Sequence, residues 1–149
     1  MDTSKEMNMT TATILTVDGV LVCGRRVLLI ERTKAPFMDK LVFPGGHVEG
    51  GESLEEAVVR ELMEEVGVEV AESDLHYLIE LSAPGRDPRP GHRTAHVYWM
   101  PVSEDVLASA MAGSDARAVH IVDLDSLTPD RMGFDHYRAI ECLRKILAN

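Results

Sequence analysis

The feature that most constrains this chain is the segment Gly46 to Val68, where glycines, acids and apolar residues stand at fixed spacing. Written out, the pattern is Gly-x5-Glu-x7-Arg-Glu-Leu-x-Glu-Glu-x-Gly-Val, with nine specified positions in 23 residues. Those positions are Gly46, Glu52, Arg60, Glu61, Leu62, Glu64, Glu65, Gly67 and Val68. A pattern this dense is not expected by chance, so the segment carries both a defined local structure and a chemical role.

The residues around the acidic run predict a loop followed by a helix. Gly45 and Gly46 permit backbone turns that are closed to other residues. Ser53 and Glu56 have the spacing of a capping box, in which each side chain satisfies a free amide at a helix start. Gly67 stands where a left-handed residue ends a helix. The sequence therefore predicts a helix of about three to four turns that ends at Gly67.

Three carboxylates of this helix share one face, because Glu61, Glu64 and Glu65 are spaced i, i+3, i+4. Each lies seven residues after an apolar residue, and these are Leu54, Ala57 and Val58. The carboxylates thus continue the stripe that faces the protein body, where like charges repel and lose hydration. A divalent cation among them removes that conflict, and oxygen ligands favour Mg²⁺ or Mn²⁺ over Zn²⁺. The alternative is a surface helix with ion pairs such as Arg60 to Glu64.

The segment resembles the Nudix box of the Nudix hydrolases, without departures across the motif. The resemblance implies hydrolysis of a nucleoside diphosphate linked to another group, by a water that attacks phosphorus next to a bound metal. It assigns Glu61, Glu64 and Glu65 as the catalytic metal ligands and the Gly46 carbonyl as a further ligand. It also pairs Arg60 with Glu52, which we expect to support the site structurally. A homodimer is a further expectation, since many relatives form one.

Composition sets the class of protein. With 149 residues, 45% apolar and 27% charged, the chain is predicted to form one globular domain over residues 11–149, after an extended or disordered tail at residues 1–10. The net charge of −10 argues against a general nucleic-acid binder. No apolar run is long enough to span a membrane. Cys23 and Cys142 lack metal-like spacing, which indicates reduced thiols in a cytoplasmic protein.

Elsewhere, alternating β-branched and apolar residues predict further strands. The predicted strands are Thr11 to Cys23 (broken by a turn at Asp18-Gly19), Val27 to Glu31, Leu41 to Phe43, Leu75 to Leu81, Thr94 to Val102 and His120 to Val122. Asp135 to Leu147 has the apolar spacing of an amphipathic helix. Strands on both sides of one helix, with a second helix at the end, favour an α/β/α sandwich around a mixed β-sheet. This α/β class matches the Nudix fold.

The segment from Ala83 to His92 is the strongest sequence indication of the substrate. Its prolines restrict the backbone, Arg86 and Arg89 can fork onto phosphates, and Asp87 can accept hydrogen bonds from ribose or adenine. Its Arg-Asp-Pro-Arg core resembles the same loop in ADP-ribose pyrophosphatases, where a proline also occupies the place of Pro84. The alternative is a surface turn whose arginines pair with the protein's own acids.

The run Phe134-Asp135-His136 resembles a Phe-Asp-His run in the same enzymes. The alternative is that Phe134 packs as a hydrophobic staple while Asp135 caps the last helix. Relatives often place a glutamate in the last strand, where this chain has Ala118 and Ile121. The general base is therefore open between Asp115, Glu104 and a box glutamate.

These residues imply Mg²⁺- or Mn²⁺-dependent hydrolysis of ADP-ribose to AMP and ribose 5-phosphate. One alternative is a house-cleaning nucleoside triphosphate pyrophosphatase, which releases pyrophosphate and a monophosphate. Another is a Nudix-fold sensor that binds a nucleotide without cleaving it. The expected partner is thus a small nucleotide, with neither a nucleic acid nor a membrane.

Overall fold

A computed structural model of the protein describes residues 13–113 and 116–148. The predicted tail at residues 1–10 and the candidate base Asp115 lie outside the described residues. The strands are β1 (Thr13–Cys23), β2 (Arg26–Arg32), β3 (Leu41–Val42), β4 (Gly45–His47), β5 (His76–Leu81), β6 (His92–Pro101) and β7 (Ala116–Asp123). The helices are α1 (Leu54–Val66), α2 (Glu104–Ser109) and α3 (Tyr137–Leu147), with short 3₁₀ turns at Glu72–Asp74, Leu124–Ser126 and Pro129–Arg131.

The strands form one mixed sheet in the order β3-β2-β1-β6-β5. The central β1 runs parallel to β6 along ten paired positions and antiparallel to β2. Two further strands join this path, because β4 pairs with β1 and β7 pairs with β2. The predicted mixed sheet is confirmed.

Each face of the sheet has its own hydrophobic core. On one face, α1 and α2 cover buried residues of the central strands, including Val17, Leu21 and Leu28. On the other face, α3 contributes Ala139, Ile140 and Leu143 to the core. These side chains belong to the same hydrophobic cluster as Val20 and Leu29 of the sheet. The α/β/α arrangement is therefore confirmed.

The helix α1 begins and ends as the sequence predicts. The Ser53 hydroxyl accepts from the Glu56 amide at 3.0 Å, and the Glu56 carboxylate accepts from the Ser53 amide at 3.0 Å. At the other end, Gly67 has φ 68° and donates its amide to the Leu62 and Met63 carbonyls. These local contacts fix where the acidic face of α1 begins and ends.

The predicted turn at Asp18-Gly19 is wrong, because β1 continues through both residues. Gly19 provides close packing: a Cβ there would stand 3.0 Å from a Leu62 methyl of α1. Asp18 is buried in the sheet with 7% of its surface exposed. The turn that joins β1 to β2 contains Gly24, with φ 62°. Here burial and close helix–sheet approach override a local turn signal.

Two short elements were not predicted, α2 and β4. Because β4 is built from Gly45, Gly46 and His47, its sequence resembles a loop, yet it pairs antiparallel with Thr16 to Asp18 of β1. The cysteines agree with the prediction of free thiols, since Cys23 and Cys142 are unpaired and half-buried. Within the described ranges, no helix is both long and apolar enough to cross a membrane.

Candidate active site

Arg60 organises the acidic end of α1 and the loop before it. Its Nε and Nη2 donate to the two Glu52 carboxylate oxygens at 2.7 and 2.9 Å, so the predicted pair is present. Nη2 also donates to the His47 carbonyl at 2.9 Å, while Nη1 donates to Glu61 at 2.7 Å and Glu64 at 3.3 Å. The bonds from Arg60 to Glu52, together with one from the Glu49 amide, lower the pKa of Glu52 to about 2. The guanidinium therefore joins the glycine-rich loop to the helix.

Glu61 is the most buried carboxylate of the helix, with 8% of its surface exposed. It lies directly against β4, because a Cβ on Gly46 would stand 2.6 Å from Oε1 of Glu61. Burial raises the pKa of Glu61, although Arg60 acts in the opposite direction. Glycine at position 46 is thus required for the carboxylate to reach the backbone of the loop.

Glu65 borders a cavity of about 480 Å³ that opens beside β4. The Arg-Asp-Pro-Arg loop and the run at 134–136 contribute to this cavity, and so do the interior of β1 and the end of β2. The lining residues are Thr16, Asp18, Ile30, Glu31, Arg32, Thr33, Lys34, Val42, Phe43, Gly45, Gly46, His47, Glu65, Arg86, Asp87, Arg89, Phe134 and His136. The fold therefore brings the acidic helix, the glycine-rich loop and the Arg-Asp-Pro-Arg loop to one place.

The arginines of that loop are paired with the protein's own acids, as the alternative interpretation held. Arg86 binds Asp135 with Nη2 at 2.8 Å and Nε at 3.0 Å, and its side chain is 5% exposed. Arg89 binds Asp87 with Nη2 at 2.6 Å and Nε at 3.0 Å. Of these four residues, Arg86, Asp87 and Arg89 nevertheless line the cavity, whereas Asp135 does not. Pro84 is exposed and is not among the lining residues.

In the run Phe134-Asp135-His136, Asp135 does not cap the last helix, so that alternative is wrong. Helix α3 begins at Tyr137 without a side-chain cap, because the Asp135 carboxylate binds Arg86 instead. Phe134 packs against Phe37, with the ring centroids 4.7 Å apart. His136 stacks on Phe43 at 4.8 Å. The run therefore connects the Arg-Asp-Pro-Arg loop to the wall of the cavity.

A buried pair at the cavity wall, Asp18 and His136, was not predicted from the sequence. Nδ1 of His136 accepts the Phe43 amide at 3.3 Å, which leaves Nε2 to face Oδ2 of Asp18 at 3.5 Å. Burial lowers the pKa of His136 to about 3 and raises the pKa of Asp18 to about 8. The signal was an aspartate within an apolar strand, which indicates a buried polar residue as readily as a turn.

We expect Asp18→Asn to change how stability depends on pH. In the folded protein Asp18 keeps its proton up to about pH 8, whereas the unfolded chain loses it near the usual value of 3.8. The wild type therefore loses stability relative to the variant as pH rises from about 4 to 8, by at most about 1.4 kcal/mol per pH unit. Urea unfolding of both proteins at pH 5, 6.5 and 8 measures this. Parallel curves would show that Asp18 ionises normally.

A model of the NUDIX domain matches residues 13–143 of this chain. The ADP-ribose pyrophosphatase of Methanocaldococcus jannaschii is 40% identical over 126 residues, which are 84% of this chain and 69% of that protein. This chain belongs to the Nudix family. The 8-oxo-dGTP diphosphatase of Escherichia coli is 48% identical over 70 residues, which are 46% of this chain and 54% of that protein.

Three solved structures have folds similar to that of this chain. The NUDIX domain of Shewanella oneidensis NrtR, solved with ADP ribose, superposes with a TM-score of 0.79 at 27% identity and covers 99% of both chains. NrtR has also been solved with a 27mer DNA, at a TM-score of 0.69 and 30% identity over 89% of this chain and 61% of that one. A bifunctional NMN adenylyltransferase/ADP ribose pyrophosphatase from Francisella tularensis, complexed with AMP and a Mn ion, gives 0.75 at 25% identity over 96% and 45%.

Nudix hydrolases use divalent metals, and the chemistry of the box fits such an ion. All of its donors are hard oxygens, and Gly46 leaves room for the Glu61 carboxylate at the loop backbone. Among the described residues, however, no three acidic, histidine or cysteine side chains form a metal-binding group. Glu64 is largely exposed, and Arg60 holds both Glu61 and Glu64. Metal ligation by Glu61, Glu64, Glu65 and Gly46 stays a prediction.

The candidates for the general base of this Nudix protein differ in whether they line the cavity. Glu104 pairs with Arg26 at 2.7 Å on the surface and does not line the cavity. Glu65 does line it, whereas Asp115 lies outside the described residues. His47 also borders the cavity, where burial and then Arg93 lower its pKa. The described structure therefore favours a box glutamate over Glu104.

Proposed function

We propose that this Nudix pyrophosphohydrolase cleaves ADP-ribose to AMP and ribose 5-phosphate with Mg²⁺ or Mn²⁺. One observation carries the proposal: Arg86, Asp87 and Arg89 line the same cavity as Gly46 and Glu65. A substrate in this cavity would contact that loop while its diphosphate lies beside the box helix.

The relatives add support from outside the chain. The similarity to an ADP-ribose pyrophosphatase extends over 84% of this chain. The NrtR structure contains ADP ribose, and the Francisella tularensis enzyme contains AMP, which is one proposed product. The similarity to the 8-oxo-dGTP diphosphatase covers only 46% of this chain. A triphosphate substrate is therefore the second candidate.

Each group of residues has a proposed task. Glu61, Glu64, Glu65 and the Gly46 carbonyl would hold the divalent cation, while Arg60 and Glu52 fix the loop against α1. The chemistry supplied by that cation, when bound, is neutralisation of phosphate charge and activation of a water. Asp87 and Arg89 line the substrate cavity, and Arg86 joins their loop to Asp135. We assign to Glu65, which borders the cavity, the task of accepting the proton of the attacking water.

A panel assay tests the substrate. The purified protein, with Mg²⁺ or Mn²⁺, is given ADP-ribose, NADH, a diadenosine polyphosphate, a sugar nucleotide, dGTP and 8-oxo-dGTP. We expect ADP-ribose to have the highest kcat/KM, with AMP as a product. A preference for a triphosphate would leave the box interpretation intact and reject the loop interpretation. Tight binding of one compound with no turnover would instead identify a sensor.

Three expectations remain predictions: a cytoplasmic location, a homodimer and the absence of nucleic-acid binding. The DNA complex of NrtR makes the last of these worth testing directly. A filter-binding assay with duplex DNA at low salt, where nonspecific phosphate contacts are strongest, is the most sensitive form of that test.

A further inference from the structure

We propose that the connection between α2 and β7 positions the metal-binding glutamates of α1 through the backbone amides of Met111 and Gly113. The inference rests on the proposed function and deepens it, because it concerns how Glu64 and Glu65 are held for the divalent cation. The part of the connection from Ala110 to Gly113 is called the capping segment below, since it closes the C-terminal end of α1.

The capping segment supplies hydrogen bonds that α1 cannot make for itself. The last carbonyls of a helix have no amide partner within the helix. The Gly67 amide bonds to earlier carbonyls of α1. The Gly113 amide donates to the Glu65 carbonyl at 2.7 Å, and the Met111 amide donates to the Val66 carbonyl at 3.0 Å. The C-terminal turn of α1 is therefore completed by a part of the chain that is distant in sequence.

The capping segment approaches α1 so closely that position 113 requires glycine. A Cβ on Gly113 would stand 2.5 Å from the Glu64 carbonyl oxygen and 3.2 Å from that of Glu65. The backbone of Gly113 is not in the left-handed region, so the requirement is one of space rather than conformation. Both neighbouring atoms belong to the backbone of α1. A side chain at position 113 would therefore push the capping segment away from the two glutamates.

The C-terminal turn of α1 is an unfavourable place for glutamates. The negative end of the helix dipole repels carboxylates, and this turn contains no basic residue. Helix ends without partners also open at little cost in free energy. The capping segment thus keeps Glu64 and Glu65 in helical positions before a cation binds. A bound cation would offset the same repulsion, so metal binding and docking of the capping segment should strengthen each other.

Hydrogen exchange followed by NMR tests this coupling in the wild type. The amides of Met111 and Gly113 report on docking of the capping segment. The control is the Leu124 amide, which donates to the Arg25 carbonyl at 2.7 Å in a turn that does not line the cavity. We expect saturating Mg²⁺ to slow exchange at Met111 and Gly113 about 3- to 10-fold, the equivalent of about one hydrogen bond, and to leave Leu124 unchanged.

Two variants at position 111 separate the amide from the side chain. Met111→Pro removes the donor, and the preceding Ala110 already has ψ 137°, which is the extended backbone that a residue before proline adopts. Met111→Ala keeps the amide and is the matched control, because the methionine is 74% exposed. A third variant, Gly113→Ala, adds the Cβ that α1 excludes. Thermal melts in EDTA establish that each variant is folded, and EPR of free Mn²⁺ measures metal affinity.

We expect Met111→Pro and Gly113→Ala to bind Mn²⁺ about 3- to 10-fold more weakly than the wild type, and Met111→Ala to stay within about twofold. The loss of turnover in Met111→Pro should shrink as the Mg²⁺ concentration rises. Wild-type Mn²⁺ affinity in Met111→Pro would overturn the proposal. So would exchange at Met111 and Gly113 that does not respond to Mg²⁺, or that slows equally when Glu64 and Glu65 are both replaced by glutamine.

The outcomes also separate this inference from the proposed function. If ADP-ribose is not hydrolysed but Met111→Pro still loses Mn²⁺ affinity, the capping segment positions the metal ligands and the substrate assignment fails. If ADP-ribose is hydrolysed and Met111→Pro binds Mn²⁺ like the wild type, the substrate assignment stands and the capping segment merely stabilises the fold. A wild type that binds no Mn²⁺ would overturn the metal site and this inference together.

Discussion

Replacing Glu64 and Glu65 together with glutamine should reduce turnover of the preferred substrate by about 10³-fold or more. Glutamine keeps the size of each side chain and removes the negative charge that a divalent cation requires. Even one group that stabilises developing charge is commonly worth about 10²–10³ in rate. Steady-state kinetics with saturating Mg²⁺ measures the loss. Glu64 is exposed and Glu65 borders the cavity, so neither is part of a hydrophobic core and the variant should fold normally.

The control for this double variant is Glu69→Gln with Glu72→Gln. It changes the net charge by the same amount at two exposed positions just beyond α1, neither of which lines the cavity. We expect its turnover to match that of the wild type. A further measurement is the rise in melting temperature on adding Mg²⁺, which the Glu64/Glu65 variant should lack and the control should keep. If the Glu64/Glu65 variant turns over substrate at the wild-type rate, the metal-site assignment is wrong.

The parts of the fold that follow from local chemistry were predictable. Ser53, Glu56 and Gly67 set the ends of α1 through contacts within a few residues, and apolar periodicity located β2, β5, β6 and α3. The exception at Asp18-Gly19 is instructive. Gly19 is needed for close approach to Leu62, which lies on a different element, and no local pattern distinguishes that need from a turn.

In the candidate site too, some contacts were predictable from the sequence and others were not. The motif gave the Arg60–Glu52 pair, since a motif fixes which residues occur together. It did not reveal that Arg86 pairs with Asp135, which is 49 residues away in sequence. Arg32, the last residue of β2, was not singled out because a lone arginine at a strand end carries no motif. The fold places it at the cavity, with its guanidinium over the Phe134 ring.

Removing the Arg60 guanidinium should be among the most destabilising changes outside the hydrophobic cores. Arg60→Met leaves Glu61 without its cation partner while the Glu61 side chain is only 10% exposed. Breaking a buried ion pair on one side typically costs about 3–5 kcal/mol, and we expect about 3 kcal/mol because Arg60 itself is 21% exposed. Urea unfolding without metal measures the change. The control Arg25→Met breaks an exposed surface pair with Asp125 and should cost far less, because solvent screens such pairs.

Mg²⁺ should restore part of the stability lost in Arg60→Met, and this links the support network to the metal site. In the absence of metal, Nη1 of Arg60 compensates both Glu61 and Glu64, the same carboxylates that are proposed to bind the cation. Without that guanidinium, a cation bound by Glu61 would compensate the charge of this carboxylate. Mg²⁺ at about 100 times its dissociation constant adds about 2.7 kcal/mol to a protein that binds it only when folded. The gain on adding a fixed Mg²⁺ concentration should therefore be larger in Arg60→Met than in the wild type. An equal gain in both proteins would mean that Arg60 and the cation do not share Glu61.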